Sequence, residues 1–108
     1  MEDGLDTSLP PFDIQKVDDG IRWSVLLFRE NGYHVFTSCE GGQGHAFLKP
    51  TLGIWCNPKD RSQLWLFIRQ NNLNVNLRWC RRKSLANVPH LKKFDGYWVY
   101  VVGSDLIR

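Results

Sequence analysis

The residues best suited to chemistry lie in one short stretch, Thr37-Ser38-Cys39-Glu40-Gly41-Gly42-Gln43-Gly44-His45-Ala46-Phe47, running on to Lys49-Pro50-Thr51. Cys39 and His45 are six positions apart across glycines, close enough to meet as a thiolate–imidazole pair. Glu40 or His34 would orient the ring, so the candidate catalytic residues are Cys39, Glu40 and His45. The structural alternative is that Cys39 packs as a small hydrophobe at the inward end of a strand while the glycines allow a tight loop. No recognised motif places a third group beside the pair, so the sequence favours a non-enzymatic role over catalysis.

The same loop offers a second chemistry. Gly41, Gly42 and Gly44 can turn their amides toward an anion, with His45 and Lys49 adding charge to a phosphate or carboxylate cradle. The loop is not a phosphate-binding Walker sequence, because no Gly-Lys-Ser/Thr follows, and a strand rather than a helix is expected after it. A zinc set of Cys39, His45, Cys56 and Cys80 has the right donors. Its spacings match no finger or ribbon, and Cys80 falls on the polar side of its strand. No metal ligand and no cofactor is expected.

A third chemistry is electrostatic. Arg78, Arg81, Arg82, Lys83, Lys92 and Lys93 fall in one segment that contains no acid. Trp79 is interleaved, and Tyr97, Trp98 and Tyr100 belong to a neighbouring strand. Bases and rings on one sheet face are what single-stranded nucleic acid uses, charge tracking phosphate and rings stacking on bases. Trp79 itself follows the apolar alternation and is assigned to the core.

Composition sets the frame for these readings. The chain has 108 residues, 43% apolar and 23% charged, enough for one domain and one core. Residues 1–20 hold six acids against Lys16, while residues 21–108 hold thirteen bases against five acids. An acidic leader therefore precedes a basic body, the latter attracting anions. Three widely spaced cysteines, an acidic start and no membrane-length apolar run imply reduced thiols, no membrane and a cytoplasmic location.

Residues 1–17 read as the leader, extended or partly disordered, with a short edge strand over 12–16; residues 18–108 read as a single α+β domain. Asp18 and Asp19 offer N-cap oxygens for a helix over 19–31, with Ile21, Val25 and Phe28 on its buried stripe. Gly32 stops it in left-handed geometry. Strands are expected over Tyr33–Ser38 and Thr51–Cys56. Asn57-Pro58 opens a second helix to about Gln70, closed by Asn72. A half-exposed strand from Val75 and a strand over Tyr97–Val102, preceded by an Asp95-Gly96 turn, complete the chain.

An internal echo organises these elements. Residues 26–35 and 66–75 align without gaps at an offset of 40, with Leu26/Leu66, Arg29/Arg69, Asn31/Asn71 and Val35/Val75 identical. The expected architecture is two helices packed on a mainly antiparallel sheet of four to five strands, built as two helix–strand–strand units. The Ser-Cys-x-Gly-Gly-x-Gly-His-Ala-Phe motif after a helix and a glycine, with Pro11-Phe12-Asp13, Leu77-Arg78-Trp79 and Tyr97-Trp98, resembles a set of small phage and bacterial proteins. That resemblance implies a shared fold and a phage origin, and it implies no reaction.

With no reaction assigned, the leading expectation is a small protein-interaction module, in a phage setting an inhibitor or modulator of a host complex. Five tryptophans exceed what one small core needs, and surface Trp and Arg anchor interfaces. A single-strand nucleic-acid module using residues 78–93 is the alternative. A small enzyme or ligand-binding protein using the glycine loop is the third.

Overall fold

The computed structural model describes residues 14–82 and 94–108. Helix α1 spans Arg22–Glu30, strands β1 and β2 span His34–Cys39 and Thr51–Trp55, helix α2 spans Arg61–Gln70, and strands β3 and β4 span Asn76–Arg81 and Tyr97–Val102. The strands form one antiparallel sheet in the order β1-β2-β4-β3. Each helix is followed by its own pair of adjacent antiparallel strands, and the two pairs meet along β2 and β4. The α+β fold and its two helix–strand–strand units are those expected from the ten-residue echo at an offset of 40.

The echo is also visible in how each helix ends. The Asn31 amide donates to Leu27 O at 2.8 Å, and Asn71 donates to Phe67 O at 2.9 Å. Gly32 and Asn72 both take positive φ, +89° and +54°, and each donates its N–H to the arginine carbonyl three residues back. Tyr33 and Leu73 then bond back to Phe28 and Ile68. Each helix thus closes with the same left-handed cap, and a strand follows each.

One face of the sheet packs on the helices. Ile21, Val25 and Phe28 of the first helical segment and Leu64 and Ile68 of α2 are fully buried against Leu52, Ile54, Val99 and Val101. These strand positions alternate, as a sheet covered on one side requires. Val17, placed with the leader in the sequence reading, is buried in this core. The carboxy-terminal residues clasp the start of α1: Ser24 Oγ donates to Leu106 O, Arg108 N donates to Gly20 O at 2.9 Å, and the Arg108 guanidinium lies 4.0 Å from the centre of the Trp23 ring.

Several local expectations change. Residues 14–16 form a 3-10 turn and not an edge strand, while residues 1–13 lie outside the described residues. The first helix begins as a 3-10 turn at Asp19–Ile21, and Asp18 makes no side-chain cap bond there. The Asn57 cap is as expected, its side chain accepting from Lys59 N at 3.2 Å with Pro58 in the first position. Asp95 and Gly96 both have positive φ, +51° and +73°, the geometry of the expected tight turn. Among the described residues, no helix is long and apolar enough to cross a membrane.

Candidate functional site

Strand β1 contains a bulge that decides where Cys39 goes. Val35 pairs with Ile54 and faces the core, but Thr37, Ser38 and Cys39 pair with Gly53, Leu52 and Thr51. The extra residue reverses the alternation after Val35. Cys39 therefore falls on the side of the sheet away from the helices, yet it packs there as a small buried residue, as the structural alternative has it. It is buried, yet it is absent from the core cluster, and its thiol points to Phe47 O at 3.9 Å. What covers it is the glycine loop.

That loop is locked. Gly41, Gly42 and Gly44 all take positive φ, +86°, +122° and +84°. Gly42 N donates to Leu48 O at 3.0 Å, and His45 N donates to Gly42 O at 3.2 Å, so the loop folds back on itself. The chain passes so close to its own return leg that a Cβ on Gly41 would stand 2.6 Å from the carbonyl carbon of Lys49. The Gly42 amide is turned inward by its bond to Leu48, which takes one donor from the anion cradle. Lys49 is exposed, and its carbonyl accepts from Thr51 Oγ1 at 2.8 Å.

The fold brings His45 back to Cys39 and adds Asp18, a residue the sequence assigns only to helix capping. One ligand-capable atom from each of Asp18, Cys39 and His45 lies within 4.8 Å of the other two. His45 Nδ1 is 4.0 Å from Asp18 Oδ2, which also accepts from Glu40 N at 3.2 Å. Glu40 does not orient the imidazole as expected: its Oε2 accepts from Gly20 N at 3.2 Å. These two crossed bonds tie the end of β1 to the entry of α1. His34, the other expected orienter, packs edge-on against Phe94 with ring centres 5.3 Å apart.

The remaining cysteines take no part. Cys56 is buried in the core, and burial together with the Asp60 carboxylate pushes its thiol up to about 11. Cys80 sits opposite Trp98 on the other side of the sheet from Leu77 and Trp79. Neither joins Cys39 and His45, so the four-residue zinc set does not form.

The sheet face away from the helices is built of rings. Phe36 stacks on Trp55 at 4.3 Å, Trp55 meets Trp98 edge-on at 5.7 Å, and Tyr100 lies 6.5 Å from Trp98 and 5.4 Å from Phe47. Phe36 belongs to the bulge, and Gly53 leaves room for it: a Cβ there would be 2.8 Å from the Phe36 ring and 2.6 Å from Thr37. Arg78 pairs with Tyr100 and is exposed, and Arg81 and Arg82, also exposed, end the same strand. Lys83, Lys92 and Lys93 lie outside the described residues. None of the five tryptophans is buried in the core; Trp79 packs at its border, with the Arg61 guanidinium 5.0 Å from its ring centre. A cleft of about 260 Å³ is lined by the end of α1 at Asn31 and Gly32, by His34 and Trp55, and by Asp60 and Gln63.

No protein-family model, curated protein or solved structure matches this chain.

Proposed function

We propose that this chain is a binding module that presents the face of its sheet away from the helices, with its half-exposed rings, to single-stranded nucleic acid. The observation that supports the reading is the continuous row of rings from β1 through β2 to β4, flanked by Arg78 on β3. Planar rings in a row accept stacked bases whatever their identity, and arginines at the row's edge meet the phosphates between them. No carboxylate stands on this face among the described strand residues, so a polyanion meets no like charge there. The net charge of +3 steers in the same direction.

A protein partner, in the setting of a host complex in the cytoplasm, is the second reading. It is favoured by exposed Trp65 and Leu66 on α2 and by Leu26, the repeat equivalent of Leu66, exposed on α1.

Fluorescence anisotropy of labelled single-stranded oligonucleotides separates the two. The nucleic-acid reading expects binding that weakens steeply between about 50 and 200 mM salt. It also expects loss on replacing Arg78, Arg81 and Arg82 together by Ala, and a weaker complex for Trp55→Leu. No binding at low salt, with a partner retained from nuclease-treated lysate through Leu26 and Leu66, overturns it in favour of the protein reading.

A further inference from the structure

Asp18, Cys39 and His45 converge on a point, and that shape distinguishes two chemistries with the same residues. In a thiol–imidazole–carboxylate relay the ring stands between its partners, each nitrogen serving one of them, and thiol and carboxylate lie on opposite sides. Here the carboxylate oxygen and the sulfur are themselves within 4.8 Å, and one imidazole nitrogen is within that distance of both. Three donors grouped around a common centre are what a cation requires. A tetrahedral ion with bonds of about 2.0–2.3 Å holds its donors roughly 3.3–3.8 Å apart. The observed His45 Nδ1 to Asp18 Oδ2 distance of 4.0 Å is within a small side-chain adjustment of that.

The surroundings hold the donors in place. Asp18 Oδ2 is oriented by the Glu40 amide, as carboxylate ligands are oriented by a neighbouring donor. Cys39 is fixed by its strand register, and His45 by the turn bond from its amide to Gly42 O. Three separate stretches of chain supply the ligands, so no short-spacing motif marks them in the sequence. Cys39 is buried while Asp18 and His45 are partly open to solvent, leaving one side of the cluster accessible.

We propose that Asp18, Cys39 and His45 form a site for a divalent transition metal, zinc by its thiolate–imidazole–carboxylate donor set, with the fourth position open to water or an exogenous ligand. The proposal does not rest on the nucleic-acid reading, although Phe47 touches both places, its carbonyl facing the Cys39 thiol and its ring packing on Tyr100. Closing three stretches of chain around one ion also couples binding to stability, because the unfolded chain holds no such arrangement.

Cobalt(II) is the probe, added to the reduced full chain. The expected result is saturation at one equivalent, with thiolate-to-cobalt charge-transfer absorption in the near ultraviolet and the intense visible bands of a four-coordinate ion, both removed by zinc. Cys39→Ser should lose the charge-transfer band, whereas Cys56→Ser and Cys80→Ser should keep it. His45→Ala, at an exposed position where folding is not at stake, should weaken binding by about tenfold or more. Absence of the charge-transfer band in the parent, its survival in Cys39→Ser, or unchanged affinity in His45→Ala overturns the proposal.

Discussion

Replacing Gly41 by Ala tests whether the loop is a built structure. Gly41 has φ +86°, a conformation that costs a residue with a Cβ about 1 kcal/mol. The new methyl group would also stand 2.6 Å from Lys49 C and 2.7 Å from Pro50 N, roughly 0.8 Å inside ordinary contact. Both are backbone atoms, so no side-chain rotation relieves the overlap, and the leg leading into β2 must move. Overpacking of this kind adds about 1–3 kcal/mol, bringing the total to about 3 kcal/mol. Gly44 has nearly the same φ, +84°, but no atom within 4 Å of its added Cβ, so Gly44→Ala carries only the conformational part, about 1 kcal/mol. The comparison isolates the close approach. At about 4–8 °C per kcal/mol for a domain of this size, Gly41→Ala should melt about 8–16 °C below Gly44→Ala. Thermal and urea unfolding of the two variants beside the parent measures this. Equal midpoints for the two variants, or Gly41→Ala as stable as the parent, would refute the locked loop and with it the positioning of His45 over Cys39.

Three further outcomes follow from particular contacts. Ser24→Ala removes the donor to the Leu106 carbonyl inside the buried clasp and should cost about 1–3 kcal/mol in urea unfolding. Burial raises the Cys56 thiol from its ordinary 9.0 to about 11. Through that window the unfolded chain loses the proton first, so stability should fall as pH rises from about 9 to about 11, and Cys56→Ala should flatten the decline in pH-dependent melting. Gly53→Ala sets its Cβ against the Phe36 ring and Thr37, side chains that can yield; near-ultraviolet circular dichroism should change as Phe36 leaves Trp55, with a smaller loss of stability than for Gly41→Ala.

Much of the fold is legible because its signals are local. Gly32, Asn57-Pro58 and Asn72 mark helix boundaries through backbone geometry and capping chemistry that depend only on near neighbours. The matched residues at an offset of 40 carry the architecture, since two similar helix–cap–strand units imply two similar placements. The site is less legible for a corresponding reason. The bulge at Phe36 reads as ordinary alternation, and only pairing with β2 shows that one residue is extra. Asp18 looks like a helix cap, whereas its carboxylate accepts from an amide 22 residues away. Glu40, adjacent to Cys39 in sequence, turns to Gly20 instead of the imidazole. Contacts between distant stretches of chain have no local signature.

The seam between β2 and β4 joins the two halves of the molecule, which are otherwise linked covalently only through the short stretch from Cys56 to Asp60. Such a seam is indifferent to whether its two strands belong to one chain. If the linker straightens, the first half of one copy can meet the second half of another, with every native strand pairing and the clasp on α1 restored in duplicate. Such an exchange into a dimer would have to open both the seam and the ring contacts of Phe67 with Phe28 and Tyr33 that join the two halves. In such a dimer the two ring-bearing faces would each be assembled from both chains, whereas Asp18, Cys39 and His45 would remain together within one.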